Sequence, residues 1–171
     1  NSESGPISLD SAEGLIDFQD NVQITLNLDI ISTDHSKIHL DTDLEKADLD
    51  FLNENYDFLI AASQHKSEAG QPALLVHCPG NFEAADAGGF PGKISMSCAV
   101  LQNFLYNNLI LFNNKHNFNF PVDLEVTHHG PSIMKPPIVF IELGSSDKEY
   151  DDPVGGLVVA KSIILGSLMI S

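Results

Sequence analysis

Four of the seven histidines lie just after three predicted strands, where polar stretches begin. They are His65, His77, His128 and His129, and the strands end near Ala62, Val76 and Val126. Strand ends at one edge of a sheet come close together, and the ligands of α/β folds gather there. Because imidazole is both a common zinc ligand and a general base near neutral pH, this convergence predicts a site for metal-assisted or acid–base chemistry.

The consecutive histidines His128 and His129 set a geometric condition. Adjacent residues of a strand point to opposite faces of the sheet, so both rings can reach one ion only where the strand ends or bends. Gly130 and Pro131 follow directly and supply such a bend. A single histidine is more often a structural residue, but this pair, close to Glu125, favours a functional site.

Glycines beside these stretches are candidates for backbone contacts with a ligand. The N–H groups of Gly80 and Gly130 could stabilise an oxyanion, although each glycine fits ordinary turn chemistry equally well. Gly88 and Gly89 could form a lid, with a simple turn favoured. The stretch 144–146 could hold a phosphate, but helix capping is the commoner role.

The charge of the chain argues against a polyanionic partner. There are 24 acidic residues, 8 lysines and no arginine, for a net charge of −16. Nucleic-acid binding usually relies on a basic face that neutralises phosphates. Either the acidic residues lie away from the site, or a basic segment lies outside this chain. Part of the acidity clusters between Asp41 and Glu54, which is typical of a solvated helix face.

Composition and missing motifs narrow the class of protein. Hydrophobic residues make up 43% of the chain, as in water-soluble globular proteins. The most apolar stretch, 154–170, contains Lys161 and three glycines, so a packed helix is favoured over a membrane span. Cys78 and Cys98 are expected to be free thiols in a reducing cytoplasm. The chain lacks a phosphate-binding loop and a nucleophile elbow, which argues against nucleotide hydrolysis and serine-hydrolase chemistry.

The first half of the chain is predicted to hold two helices and four strands. Alternating apolar and polar residues mark a half-buried strand, and nearly continuous apolar runs mark central strands covered on both faces. The expected elements are a helix from Asp10 or Ser11 to Phe18, alternating strands at 22–30 and 38–40 that could form a hairpin, a helix at 43–53, and buried strands at 56–62 and 72–77.

The second half is predicted to alternate between helices and strands after a loop. The expected elements are a loop at 79–93, a helix at 97–112, an alternating strand at 122–126, a buried strand at 137–143, and a last helix capped by Asp152 with Pro153 in its first turn. Helices that alternate with buried strands predict an α/β layer fold, formed as a single domain by residues 1–171.

Several stretches resemble the archaeal and plant D-aminoacyl-tRNA deacylases, also described as D-tyrosyl-tRNA deacylases. The most specific are Glu-Val-Thr-His-His-Gly-Pro at 125–131 and Phe-Ile-Glu-Leu-Gly-Ser-Ser at 140–146, whose separation also suits the family. Further matches are Pro-Ala-Leu-Leu-Val-His-Cys-Pro-Gly-Asn-Phe at 72–82, Ala-Ser-Gln-His-Lys-Ser at 62–67, and the Gly-Gly pair at 88–89. Before the third predicted strand the similarity is faint.

The resemblance implies a fold and an activity. The fold would be a three-layer α/β/α sandwich with a mixed sheet, similar to the peptidyl-tRNA hydrolase and phosphorylase/hydrolase-like folds. The activity would be zinc-assisted hydrolysis of the ester that joins a D-amino acid to the 3′ end of tRNA, which removes D-amino acids from translation. We expect a cytoplasmic monomer with no obligate protein partner and no membrane contact.

The resemblance also assigns roles in such a reaction. Ester hydrolysis needs a positioned water, a base or metal to activate it, and stabilisation of the oxyanion. We expect His77, His128 and His129 to act as catalytic residues and zinc ligands, with Glu142 as a further ligand. Glu125, also a catalytic candidate, or Glu142 would orient a histidine through a hydrogen bond.

The remaining candidates would contact the substrate. Thr127 and Asn81 are expected to reach the substrate or the oxyanion. Further substrate contacts are expected from His65, Lys66, Gly80, Phe82, Gly130, Pro131 and Ser145.

Two departures from the family pattern leave alternatives open. Gln64 stands where the family usually has an arginine before the histidine, which weakens a phosphate-gripping role there. Family members also continue with a glycine-rich, histidine-containing segment after the position matching Ser171. The alternatives are a metal-dependent peptidase or amidohydrolase, which would suit the acidic surface better, and a zinc-binding relative without catalytic activity.

Overall fold

The computed structural model describes residues 8–18, 22–32, 41 and 46–170. The strands are β1 Ser8–Phe18, β2 Val22–Ser32, β3 Leu59–His65, β4 Ala73–His77, β5 Val122–Leu124 and β6 Ile138–Gly144. The helices are α1 Lys46–Asn55, α2 Ala99–Lys115, α3 Asp147–Tyr150 and α4 Pro153–Ile170. Helices packed on a mixed sheet confirm the predicted α/β class.

A four-stranded mixed sheet carries the candidate site. Its order is β3-β6-β4-β5, in which β3 is parallel to β6 and β5 is parallel to β4, while β4 and β6 are antiparallel. The carboxyl ends of β3 and β6 therefore lie at the opposite edge from those of β4 and β5. The expectation that all the histidine-bearing strand ends share one edge is wrong, because His65 ends β3 whereas His77 ends β4.

Burial distinguishes the central strands from the edge strand. Every residue of β6 and the last four residues of β4 are buried, as their apolar runs predict. In contrast, β3 lies at the edge and has only Ala61 fully buried. It begins at Leu59 and continues through polar residues to His65, because it pairs with β6 along its whole length. The prediction of a strand at 56–62 covered on both faces is therefore wrong in both position and burial.

One face of the sheet packs against α2 and α4. The core on this side combines strand and helix residues, among them Leu74, Val76, Val139, Ile141, Leu101, Leu105, Leu109 and Val158. Close helix packing requires Gly166, where an added Cβ would lie 2.8 Å from Cδ2 of Leu105. By length and composition alone α4 could cross a membrane, but its buried residues include Val158 and Gly166, in keeping with the packed helix predicted.

The opposite face is shared by a smaller core and the site. Strand register sets Ala61, Phe140 and His77 in one row, and Ser63, Glu142 and Leu75 in the next. Phe140 belongs to a cluster with Leu52 of α1, and its ring also stacks against that of His77. The boundary between core and site therefore runs along the β6 strand at Phe140.

The prediction of a helix from Asp10 or Ser11 to Phe18 is wrong. This segment is β1, which pairs antiparallel with β2 from Ser8↔Ser32 to Phe18↔Val22. Pairing with a partner strand overrides weak local helix propensity. The strand predicted at 38–40 lies outside the described residues, as does the start of the helix predicted at 43–53, of which α1 provides the later part.

Elements in the second half lie close to their predicted positions. The helix predicted at 97–112 is α2, and α4 begins at Pro153 as expected. The carboxylate of Asp152 caps α4 by accepting the N–H of Val154 at 2.8 Å and of Gly155 at 3.2 Å. However, β5 ends at Leu124 instead of Val126, and this early end shapes the site.

Replacement of Leu105 by alanine should destabilise the fold. Leu105 is completely buried between α2 and α4, so Leu105→Ala should lower the free energy of unfolding by about 2–5 kcal/mol, measured by urea denaturation. The matched control is Leu111→Ala in the same helix, because Leu111 is 51% exposed. Equal losses in the two variants would contradict this packing.

Candidate functional site

Three imidazoles meet above Phe140. His77 is completely buried at the end of β4, and its Nε2 lies 3.1 Å from Nε2 of His129. The His77 ring stacks against Phe140 and against His128, with centroid distances of 5.3 Å and 4.7 Å. One ring nitrogen of each histidine lies within 4.8 Å of the other two. The structure thus brings together the three histidines named first as catalytic candidates; we call them the histidine cluster.

The early end of β5 allows two consecutive residues to face the same cluster. Strand pairing stops at Leu124, and His129 adopts a left-handed backbone conformation with a φ of +51°. The alternation of side chains no longer applies there, so the rings of His128 and His129 both reach His77. The bend that the sequence required therefore includes His129 itself, one residue before Gly130.

Backbone carbonyls orient two of the rings. Nδ1 of His128 donates to the carbonyl of Val126 at 2.7 Å, and Nδ1 of His129 donates to the carbonyl of Gly130 at 2.6 Å. Because a carbonyl oxygen can only accept, each Nδ1 carries the proton and each Nε2 presents a lone pair. These Nε2 atoms are the ones available to a proton or a metal ion.

The third ring, that of His77, has a buried nitrogen without a hydrogen bond, and its contacts indicate whether zinc fits the histidine cluster. His77 Nδ1 and Glu125 Oε2 both lack a hydrogen-bond partner and lie 3.7 Å apart. The 3.1 Å contact between the Nε2 atoms of His77 and His129 is a hydrogen bond when His77 carries its proton on Nε2. When the proton lies on Nδ1, towards Glu125, the two Nε2 lone pairs face each other and repel unless a cation lies between them. Nitrogen ligands at about 2.0–2.1 Å from a tetrahedral zinc are about 3.3 Å apart, so the observed spacing fits a zinc ion.

A second group of potential ligands adjoins the histidine cluster. His65, Glu125 and Glu142 each offer an atom within 4.8 Å of the other two, and His65 Nδ1 lies 3.4 Å from Glu142 Oε2. Glu125 Oε2 lies 3.7 Å from both His65 Nδ1 and His77 Nδ1, so this carboxylate links the two groups. Glu142 was expected beside the three histidines as a metal ligand, but it groups with His65 because it lies one row away from His77 on the sheet.

The site holds its inner imidazoles uncharged. Burial, followed by the proximity of His129, His128 and His65, lowers the pKa of His77 to about 3. Burial also lowers the pKa of His129 to about 4, although its hydrogen bond to Gly130 acts in the opposite direction. Both rings therefore keep their lone pairs at neutral pH, which is the form that binds metal ions.

The backbone N–H groups of Gly80 and Gly130 are engaged within the protein. Gly80 donates to the carbonyl of His129 at 2.7 Å, and Gly130 donates to the carbonyl of Ala87 at 3.0 Å. The expectation that these groups stabilise an oxyanion is therefore wrong for this conformation, and they fasten one loop to another instead. Gly80 also allows close backbone contact, since an added Cβ would lie 2.8 Å from Cα of Ile94.

Asn81 also fastens a loop through its side-chain amide. Its side chain is buried, and Nδ2 donates to the carbonyls of Gly88 at 2.8 Å and Phe90 at 3.4 Å. These bonds occupy the amide that was expected to contact the substrate or oxyanion. Gly89 packs closely, because an added Cβ would lie 2.7 Å from Oγ of Ser132. Gly88 and Gly89 therefore form a packed turn, which is the favoured one of the two interpretations of the sequence.

The other predicted substrate residues differ in exposure. Phe82 is 65% exposed, Lys66 is exposed and Thr127 is half-buried. Pro131 and Ser145 are buried, and both make internal hydrogen bonds: the Pro131 carbonyl accepts from Ser95 Oγ at 2.7 Å, and Ser145 Oγ donates to the Gln71 carbonyl at 2.6 Å.

A polar cleft lies at the carboxyl ends of β3 and β6. Its volume is about 460 Å³, and its lining residues are Gln64, Lys66, Ser145, Ser146, Asp147 and Tyr150. The Tyr150 hydroxyl donates to the carbonyl of His65 at 2.7 Å, which ties the cleft wall to β3. Lys66 and Ser145, two of the residues expected to contact a substrate, both line this cleft.

Sequence reasoning missed two residues that shape the site. Phe140 is predicted in a buried strand and within a family-like stretch, but with no role in the site, yet its ring packs against His77 and His129. Asp41 was assigned to a solvated helix face, but it is only 6% exposed and accepts the backbone N–H of Ser132. That contact joins residues 91 positions apart, and no local sequence pattern signals it.

Comparison with known proteins gives a consistent family match. A family model described as D-aminoacyl-tRNA deacylase matches residues 52–168. A D-aminoacyl-tRNA deacylase from Methanococcoides burtonii is 40% identical over 125 residues, which are 73% of this chain and 25% of that protein. One from Methanocaldococcus jannaschii is 36% identical over 144 residues, which are 80% of this chain and 52% of that protein. The chain thus spans between 25% and 52% of the length of these two relatives.

A solved structure supports the fold. A crystal structure described as a conserved protein of unknown function matches with a TM-score of 0.74 and 26% sequence identity. The match covers 92% of this chain and 54% of that one. The overall α/β fold is therefore shared with a known protein structure.

The metal-free protein should lose stability as the pH falls from about 6.5 to about 4. In the unfolded chain His77 and His129 bind protons near pH 6.5, whereas in the folded chain they do so only near pH 3 and pH 4. The unfolded state therefore binds more protons in this window and is favoured as the pH falls. The variant His129→Asn keeps a residue that tolerates the positive φ. Its free energy of unfolding should fall less steeply with decreasing pH than that of the unmodified protein. Urea denaturation in the presence of a chelator measures both slopes; identical slopes below pH 6.5 would contradict the prediction, and pH 7.5–8.5 serves as the internal control.

Proposed function

This chain belongs to the D-aminoacyl-tRNA deacylase family, and from that premise we propose that it hydrolyses the ester bond of D-aminoacyl-tRNA in the cytoplasm. The products are the free D-amino acid and tRNA. The observation that carries the proposal is the histidine cluster of uncharged imidazoles, which lies within the span matched by the family model. An aminoacyl ester is an activated acyl compound, so its hydrolysis requires little beyond an activated water and stabilisation of charge.

In this proposal the histidine cluster holds zinc. The Nε2 lone pairs of His128 and His129, together with that of His77, form the donor set, and the Glu125 carboxylate orients His77 through Nδ1. Zinc supplies Lewis acidity, which polarises a carbonyl and lowers the pKa of water. The 3.1 Å separation between the Nε2 atoms of His77 and His129 supports this assignment.

Glu125 acts as the general base in this proposal. When the imidazole lone pairs are occupied, the Glu125 carboxylate is the nearby proton acceptor: it is 26% exposed, and its Oε1 lies 3.9 Å from His128 Nε2. Glu125 takes a proton from water as the water oxygen bonds to the acyl carbon. The ester C–O bond then breaks, and the proton passes to the departing ribose oxygen. Glu142, which is 3% exposed, holds His65 in position through the 3.4 Å contact between its Oε2 and Nδ1 of His65.

The acidic charge limits how this chain contacts tRNA. A net charge of −16 opposes a long phosphate-binding surface, so we assign recognition to the 3′ end of the tRNA alone. The cleft that contains Lys66 and Ser145 is joined to the His65 backbone through the Tyr150 hydroxyl, and it offers polar groups for a terminal nucleotide. Phe82 offers an exposed aromatic ring on which a base or side chain can pack.

Replacement of the cluster histidines should remove both zinc and activity. His128→Asn and His129→Asn should each lower kcat/KM for D-tyrosyl-tRNA by about 100-fold or more, and each should reduce the zinc retained after dialysis. Asp57→Asn is the control, because Asp57 is exposed. Full activity in both histidine variants would rule out the assignment.

Glu125→Gln should separate zinc binding from catalysis. Glutamine keeps the size of the side chain but accepts no proton, so kcat should fall by about 100- to 10,000-fold while the zinc content stays at the level of the unmodified protein. Loss of zinc together with activity would instead make Glu125 a ligand.

Hydrolysis of D-amino-acid esters and peptides in preference to D-aminoacyl-tRNA would indicate a peptidase or amidohydrolase, and zinc without any turnover would indicate an inactive relative.

A further inference from the structure

Asp41 is a buried carboxylate that belongs to neither group of potential ligands. It is 6% exposed, and its Oδ2 accepts the N–H of Ser132 at 2.5 Å and the N–H of Ile133 at 3.0 Å. Its Oδ1 has no hydrogen-bond partner. A charged acceptor that receives two consecutive backbone N–H groups makes a stronger anchor than a neutral one.

The segment that Asp41 anchors begins directly after the histidine cluster. Ser132 lies three residues beyond His129, and the Gly130 carbonyl, which accepts the Nδ1 proton of His129 at 2.6 Å, belongs to the intervening chain. The orientation of that carbonyl sets the orientation of the His129 ring. Ser132 lies two residues after Gly130. Because Asp41 fixes the N–H of Ser132, it also restrains the chain that carries the Gly130 carbonyl.

The same contact reaches the loop on the other side of the site. Ser132 Oγ accepts the N–H of Phe90 at 2.7 Å and lies 3.4 Å from Asp41 Oδ2. Phe90 belongs to the turn that contains Gly89, and the Phe90 carbonyl accepts from Asn81. Asp41 therefore holds the segment at Ser132 and Ile133 directly, and it holds the turn at Gly89 and Phe90 through Ser132.

We propose that Asp41 is a positioning residue that fixes the ring of His129 by clamping the backbone at Ser132 and Ile133. The other anchors of this segment use neutral groups: Gly80 N–H to the His129 carbonyl, Gly130 N–H to the Ala87 carbonyl and Ser95 Oγ to the Pro131 carbonyl. Without the Asp41 carboxylate, the Gly130 carbonyl can rotate and the His129 ring loses its fixed Nδ1 donor direction. For catalysis this inference rests on the proposed function, but the clamp itself does not.

The substitution Asp41→Ala tests the clamp by two measurements that need no substrate. Amide hydrogen exchange at Phe90, Ser132 and Ile133 should become about 10- to 100-fold faster, as expected when a hydrogen bond to a charged acceptor is lost. Exchange in β6 should stay unchanged. Nitrogen NMR of the metal-free protein at neutral pH should show His129 as a single Nδ1–H tautomer before the substitution and as a tautomer mixture after it.

Three further variants separate positioning from general destabilisation. Asp41→Asn retains one oxygen acceptor and should restore slow exchange and the single tautomer. Ser132→Ala removes only the Oγ acceptor and should accelerate exchange at Phe90 but not at Ile133, so it tests the clamp even if Asp41→Ala fails to fold. Asp57→Ala removes a carboxylate from an exposed position and should change neither measurement.

Activity provides the catalytic part of the test. Asp41→Ala should lower kcat by about 100-fold, the effect of a small displacement of a catalytic group, with little change in KM, and Asp41→Asn should recover most of it. Unchanged exchange and an unchanged His129 tautomer in Asp41→Ala would overturn the proposal. If the unmodified chain does not hydrolyse D-aminoacyl-tRNA, the proposed function fails, whereas the clamp still stands or falls on exchange and NMR.

Discussion

The antiparallel pairing of β4 with β6 is the constraint on which the site depends. It sets His77 opposite Phe140 and Leu75 opposite Glu142 on one face of the sheet. An imidazole buried in that position has no water to stabilise a positive charge, so it stays neutral and needs a partner for each nitrogen. Glu125 lies on the Nδ1 side and His129 on the Nε2 side. His129 lies within hydrogen-bond distance of Nε2, whereas Nδ1 makes no hydrogen bond and faces the Glu125 carboxylate at 3.7 Å.

The loops around the buried His77 ring bind one another in a way that holds the neighbouring residues of that ring in place. His129 reaches His77 only with a positive φ, and the loops bind one another through backbone groups of Gly80, Gly130 and Ala87. Most polar residues of these loops therefore serve the structure of the site before any ligand binds. A rigid donor set loses little entropy on binding an ion, and rigidity of this kind is what pre-organised sites require. Phe82 and Lys66, by contrast, have exposed side chains.

Prediction from sequence succeeded where a local pattern and its physical cause coincide. The apolar runs of β4 and β6 demanded central strands, and Asp152 with Pro153 marked the start of α4. It failed for Ser8–Phe18, where a distant partner strand decides the structure, and for Gly80, Gly130 and Asn81, whose polar groups are satisfied by other loops. The sequence is the same whether a backbone N–H group is free or hydrogen-bonded, so only the folded structure distinguishes the two cases.

By itself the sequence determined the α/β class and the three imidazoles of the site, because strand patterning and residue chemistry are local properties. Only the tertiary structure decided that β3 and β6 oppose β4 and β5, that Glu142 joins His65 instead of His77, and that Asp41 lies buried beside Ser132. Each of these depends on contacts between residues far apart in the chain. Strand direction and the pairing of distant polar groups minimise the free energy of the whole molecule, and no short segment contains that information.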